Sequence, residues 1–251
     1  MVTMQATGAT VMKAAGIHKT FLRGKQQSHV LRGVDLEIHR GECVFLVGPS
    51  GSGKSTLLAI LGCILSPDSG DVELLGQNIS HLNNEQRTLL RREKIGFVFQ
   101  RFHLVRGLTA LENVTVPLVL CGERESHARK RGQELLAEVG LEEHLHSDPR
   151  RMSSGQCQRV AIARALAADP EMVFADEPTA SLDEVSGQQA ISLLARLAKD
   201  RGKTAIVVTH DPRIYRFADR ILQMQEGKLV PQAARVPGIP RRHVERSLPE
   251  S

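Results

Sequence analysis

The stretch Gly48-Pro49-Ser50-Gly51-Ser52-Gly53-Lys54-Ser55-Thr56 carries the spacing GxxxxGK[ST], set between the apolar runs Cys43–Val47 and Leu57–Leu61. A strand leading into such a loop and a helix leading out gather several kinds of group around one phosphate chain. Glycines let the backbone curl so that successive N–H groups converge on the anion. The helix that begins near Lys54 adds the positive end of its dipole. Lys54 then reaches the β and γ phosphates, and the Ser55 hydroxyl coordinates Mg²⁺. A glycine-rich turn that binds nothing is the bland alternative, but it has no need of the flanking strand and helix.

Two later segments supply groups that a phosphate loop needs. "MVFADEPTASLD" is a short apolar strand ending in Asp176-Glu177. An acidic residue at the end of a buried strand can reach the Mg²⁺ at the loop, so Asp176 is a candidate metal ligand. Glu177 is placed to accept a proton from an attacking water. Alone, this pair reads equally as an acidic helix cap; paired with the upstream loop it reads as catalysis. "AIVVTHD" is a third apolar strand, ending at His210, on the side of the sheet where the loop also lies.

These groups must be held by a framework, and the composition permits one. The 251 residues are 41% hydrophobic with no Trp and one Tyr, so Leu, Val, Ile and Ala do most of the packing. Net charge is +5, which permits contact with acidic lipid or nucleic acid without pointing to either. Cys43, Cys63, Cys121 and Cys157 form no CxxC pair, which argues against zinc or a disulfide framework and for a reducing compartment. The start, "MVTMQATGATVM", lacks the basic and apolar regions of a secretory signal. The apolar run "LLAILGCIL" is too short to cross a bilayer.

Strand-like runs at Val34–Ile38, Cys43–Val47, Val72–Leu75, Gly96–Phe99, Met172–Ala175 and Ala205–Thr209 alternate with helical stretches. That alternation predicts a mainly parallel sheet covered on both faces. Ala190, Ile191, Leu194, Leu197 and Ala198 share one face of a predicted helix. Residues from about 101 to 155 break the alternation and read as an inserted helical subdomain, with His127–Arg131 on a solvated face. Residues 1–12 and 231–251 have the composition of a disordered leader and a disordered basic tail.

Taken in order, the phosphate loop, "FVFQ" ending in Gln100, "MSSGQ" at 152–156, "FADEPTASLD" and "VTHD" resemble an ATP-binding cassette (ABC) transporter ATPase over about residues 13–230. The resemblance implies an α/β fold: a RecA-like P-loop ATPase core with an N-terminal antiparallel β subdomain and the inserted helical subdomain. It implies ATP and Mg²⁺ as ligands, and two subunits sandwiching two ATP molecules head to tail. In that arrangement Gln100 contacts Mg²⁺ and the attacking water, His210 holds the γ-phosphate, and Asp183 communicates across the dimer. Ser153, Ser154, Gly155 and Gln156 would face the nucleotide of the opposite chain. Phe21 stands where the family has an aromatic that stacks on adenine.

The family's usual signature is LSGGQ, and here it reads Met152-Ser153-Ser154-Gly155-Gln156. Met for Leu conserves volume. Ser154 replaces a glycine: a positive φ there would cost about 1–2 kcal/mol, whereas a negative φ would leave its hydroxyl free to cap the following helix. With Lys54, Gln100, Glu177 and His210 all present, the site is expected to work. Cys157 follows at the helix start, where a thiol pKa can be lowered; a redox switch competes there with a small residue tolerated near an interface.

"LRGVDLEIHRGE", "RREKIGFVFQRFHLVRGLTALENV" and "VTHDPRIYRFADRIL" are similar to the branch containing LolD, MacB and DevA-type ATPases. Arg106 stands where many of its members have proline, which DevA-like members also lack. The branch implies a peripheral position at the cytoplasmic face of a membrane, a transmembrane permease as partner and a homodimer of ATPase subunits. A periplasmic adaptor would join through the permease. The implied cargo is a lipid, lipoprotein, peptide or drug, exported or released. An FtsE-like cell-division ATPase and an importer ATPase share the same motifs. Repair-type members insert coiled coils or zinc modules and translation-type members carry two cassettes, so nucleic acid is not an expected partner.

Overall fold

Five consecutive buried residues with no polar interruption, Cys43–Val47, form a strand whose neighbours lie on both sides and both faces. The computed structural model describes residues 8–24 and 26–230. In chain order these give β1 (Thr10–Arg23), β2 (Gln26–His39), β3 (Cys43–Val47), α1 (Lys54–Leu61), β4 (Ser69–Leu74), β5 (Gln77–Asn78), α2 (Asn84–Lys94), β6 (Ile95–Phe99), α3 (Ala110–Leu120) and α4 (Glu125–Glu138). Then come α5 (Ser154–Leu166), β7 (Met172–Asp176), α6 (Glu184–Asp200), β8 (Thr204–Thr209), β9 (Arg220–Gln225) and β10 (Lys228–Val230).

The strands make two sheets. Six join in the order β10-β9-β3-β8-β7-β6, parallel except for the β9–β10 hairpin. Four make an antiparallel sheet, β2-β1-β4-β5. Both sheets agree with the expected α/β fold.

Alternation along the central strands divides the core in two. Phe45, Val47, Val173, Ala175, Ala205 and Val207 face the helices α3 to α6. Val44, Leu46, Met172, Phe174, Ile206 and Val208 face α1 and the antiparallel sheet. The expected apolar face of α6, Ala190 to Ala198, is buried. On α4, His127 and Arg129–Arg131 are mostly solvated, while Ala128 turns inward.

Several boundaries differ from the sequence expectation. The leader expected over 1–12 gives way to strand at Thr10, and Met12 lies in the core; residues 1–7 and the tail 231–251 lie outside the described residues. The run at Val34–Ile38 is the end of a fourteen-residue strand. β4 stops at Leu74, because Leu75 takes a φ of 51° in the following turn. Between the expected subdomain limits stand α3, α4 and two 3₁₀ turns, and α5 begins at Ser154. No helix among the described residues is long and apolar enough to cross a membrane.

Candidate active site

Parallel strands end together, and their next residues therefore collect along one edge of the sheet. Val47 pairs with Thr209, Asp176 with Val208, and Phe99 with Asp176. Gly48, His210, Glu177 and Gln100 each follow within a residue of those ends. The sequence spaces these residues over 163 positions, and the register alone brings them side by side.

The phosphate loop has a backbone that only glycine satisfies at its ends. Gly48, Gly51 and Gly53 have φ of 148°, 79° and 100°. A side chain at Gly48 would collide with the Met224 carbonyl of β9, and one at Gly53 would come within 2.8 Å of the Val30 carbonyl of β2. Nothing stands within 4 Å of the position a Cβ would take at Gly51, on the loop's outer face. Gly53 caps α1 without a side-chain hydrogen bond. Among the described backbone bonds outside regular elements, the N–H groups of Gly51, Gly53, Lys54 and Ser55 donate to no acceptor. These are the free donors that an anion would satisfy. The buried Ser52 hydroxyl also lacks a partner among the described residues.

Lys54 is only 6% exposed, and its Nζ donates to the carbonyls of Gly48 (2.9 Å) and Pro49 (3.0 Å). Its ammonium thus arches over the loop. The Ser55 hydroxyl donates to Asp176 Oδ1 at 2.8 Å. Burial pushes the Asp176 carboxyl above its ordinary range; the Ser55 bond opposes this, Glu177 adds to it, and Lys54 opposes it more weakly. A hydroxyl and a carboxylate are hard oxygen donors, and the half-buried acid has charge to neutralise. The pair fits Mg²⁺.

Glu177 adopts a φ of 47°, rare for a side chain of this kind. The turn is fixed by its N–H donating to the Val208 carbonyl (2.9 Å) and by Pro178 behind it. The carboxylate is 15% exposed and its Oε1 lies 2.8 Å from His210 Nδ1. Gln100 is exposed just beyond β6, and its carbonyl accepts from the Ser181 hydroxyl at 3.0 Å. Past it, Phe102 and His103 take φ of 60° and 47°. Arg164 of α5 donates to both carbonyls, at 2.7 and 2.6 Å, and its own burial lowers its pKa. Sequence reasoning passed over Arg164, which is one cation in the apolar stretch "VAIARAL".

The segment 152–156 lies elsewhere. Ser153 is the N-cap of α5 in a reciprocal box: Gln156 N–H donates to Ser153 Oγ (3.2 Å), and Ser153 N–H donates to Gln156 Oε1 (2.9 Å). Ser154 is the first helical residue and is not among those with positive φ, so the feared strain is absent. The capping role considered for its hydroxyl belongs to Ser153. Gly155 faces Ser186 of α6. No described hydrogen bond joins this segment to the phosphate loop of its own chain. Asp183 caps α6 through Ser186, which holds its carboxyl below the ordinary range.

One further expectation changes. Cys157 is buried with its thiol donating to the Pro149 carbonyl at 3.3 Å, and burial pushes its pKa up rather than down. That removes the low-pKa basis for a redox switch. Phe21 lies within β1, 39% exposed, with Lys19 Nζ at 5.7 Å from its ring. It is not in the core, and the same hairpin carries Val30 and Leu31 against Gly53.

The family described as ABC transporter matches residues 31–180. MacB of Photorhabdus laumondii, a macrolide export ATP-binding/permease protein, is 44% identical over 220 residues, 88% of this chain and 34% of that protein. MacB of Vibrio parahaemolyticus is 46% identical over the same shares. The chain thus spans about a third of the length of these relatives. Among solved structures, the ATP-binding cassette MJ0796, dimeric in a post-hydrolysis state bound to ADP and Pi, superposes with a TM-score of 0.81 at 42% identity, covering 87% of this chain and 96% of that one. CbiO1 of Clostridium perfringens, part of the ABC transporter complex cbiONQ, gives 0.78 at 31% identity, covering 88% and 87%. The phosphate loop, the acidic strand end and these likenesses converge, and the chain belongs to the ABC transporter family.

Proposed function

We propose that this chain is the ATP-hydrolysing subunit of an export-type transporter. Two copies close around two ATP molecules, with Gly48–Thr56 of one copy facing Ser153–Gln156 of the other. A separate transmembrane permease, held from the cytoplasmic face, converts closure and reopening into movement of a lipid, lipoprotein, peptide or drug. A periplasmic adaptor would engage that permease. The MacB relatives, described as macrolide export ATP-binding/permease proteins, support the export direction.

The observation that carries the reading is the convergence of Lys54, the Ser55–Asp176 pair and the Glu177–His210 pair at the strand ends. The loop's free N–H groups and Lys54 bind and orient the phosphate chain. Ser55, Asp176 and Gln100 would hold Mg²⁺, which neutralises charge on the β and γ oxygens when bound. His210 Nδ1 engages Glu177 Oε1, and Oε2 is left to accept the proton of a water attacking the γ-phosphorus. Phe21 is a candidate to stack on the base, and Asp183 to relay closure between copies. The segment after Gln100, which carries the exposed apolar side chains of Val105, Val119 and Leu120, is the candidate contact for a permease helix.

The purified chain should hydrolyse ATP, and Glu177→Gln should lower turnover by about 10²–10⁴-fold with nucleotide affinity retained. Equal turnover in the variant would remove the assigned base. Tagged chain extracted in mild detergent should retain a stoichiometric membrane protein with a large extracytoplasmic domain. Recovery of only soluble or nucleic-acid partners would overturn the transport reading.

A further inference from the structure

His144 carries no motif, yet it touches the residue that fixes the start of α5. In the reciprocal cap, Gln156 Oε1 accepts from the Ser153 N–H (2.9 Å), so the other end of that amide is Nε2, a donor only. Gln156 Nε2 lies 3.0 Å from His144 Nε2. A donor facing a ring nitrogen at this distance requires a lone pair there, so the ring proton resides on Nδ1. That nitrogen lies 3.3 Å from the Ser147 hydroxyl, which can accept it. Ser147 in turn donates its N–H to the His144 carbonyl (3.0 Å), and its own carbonyl accepts from Ala110 at the start of α3 (3.0 Å). The Ser153 N–H thus donates to the Gln156 amide, that amide to the imidazole, and the imidazole to the Ser147 hydroxyl, while the Ser147 carbonyl separately accepts from the N-terminus of α3.

Resting on the proposed function above, we propose that neutral His144 is a positioning residue for hydrolysis. It accepts from Gln156, holds the amide in the cap and so aims the Ser153 hydroxyl and the first N–H groups of α5 at the γ-phosphate carried by a second copy. Its task is aim rather than fold stability. Both side chains are half-buried beside a cavity of about 340 Å³ bordered by His146, Asp148 and Arg151. Water in that space can satisfy the Gln156 amide, but it cannot fix the amide's direction. Without the imidazole, the amide turns outward and Ser153 loses the reciprocal half of its cap.

The test uses the full chain with His144→Phe, which keeps the ring shape without the acceptor, and His144→Gln, whose Oε1 restores an acceptor at similar reach. The Phe variant should lower kcat for ATP about tenfold, with unchanged melting temperature and unchanged affinity for Mg-ADP, which its own phosphate loop holds. The Gln variant should return to within about twofold of wild type. In a Gln156→Ala background, His144→Phe should add nothing, because both act through one bond. Should the Phe variant fail to fold, His144→Asn, whose shorter acceptor cannot reach, replaces it. Wild-type kcat in the Phe variant overturns the inference, as does an equal loss in Phe and Gln variants accompanied by a fall in melting temperature. A wild-type chain that binds Mg-ADP but never turns over ATP would overturn the parent function and this role together.

Discussion

Asp176 is the residue whose environment most clearly awaits a ligand. Its carboxyl is held above the ordinary range chiefly by burial, so the folded chain binds this proton more tightly than the unfolded one. The sign follows: ionising the group works against the fold as pH rises from the ordinary carboxylate range through the raised value, and the penalty persists at neutral pH. Asp176→Asn should therefore raise the melting temperature of the nucleotide-free chain at neutral pH while removing Mg²⁺-dependent hydrolysis. A fall in melting temperature would show that the ionised form is stabilised in the fold. Ser154 lends itself to an equally local test. As an exposed first helical residue without positive φ, its side chain obstructs nothing within the chain. Ser154→Gly should leave turnover unchanged or raise it, and a large fall in turnover would assign the hydroxyl a positive role.

At the level of elements, α5 contains an unusual defect. Gln158 is fully buried, and neither its Nε2 nor its Oε1 has a hydrogen-bond partner among the described residues. An unsatisfied buried amide costs about 1–3 kcal/mol, and a side chain of similar volume without it recovers part of that. Gln158→Met should raise the urea midpoint; a lower midpoint would reveal a polar partner that forms in solution. The elements also show what could be read in advance. β3, β6, β7 and β8 announced themselves as apolar runs because a parallel strand is covered on both faces. β1 did not: Gly16 and the register shifts between Ala14 and His18 break its alternation, and its outer face carries Lys13 and His18. Of the site, Lys54, Asp176, Glu177 and His210 were legible because loop and strand-end positions are fixed by local sequence. Arg164 and His144 were not, since each gains its meaning from a partner brought close only by tertiary packing.

Considered whole, the molecule keeps apart the two helix starts that the proposed function aims at phosphate: α1 begins at the phosphate loop, while α5 begins against α6. A head-to-tail pair would unite them across copies, which predicts complementation. Chains carrying Lys54→Ala and chains carrying Ser153→Arg should each be inactive alone, and mixing them should restore hydrolysis from the one composite site in which both parts are intact. Mixed chains that stay inactive would rule out the head-to-tail arrangement. A last consequence concerns how far the chain can be trimmed. The turn residue Gly227 donates to the Ser52 carbonyl (3.1 Å) and accepts from Arg32 of β2 (2.9 Å), while the Val30 carbonyl closes against Gly53. The antiparallel hairpin is thus a keystone set against the nucleotide loop, and a minimal enzyme cut at the first strand of the parallel sheet would keep every motif and lose the wall that shapes them.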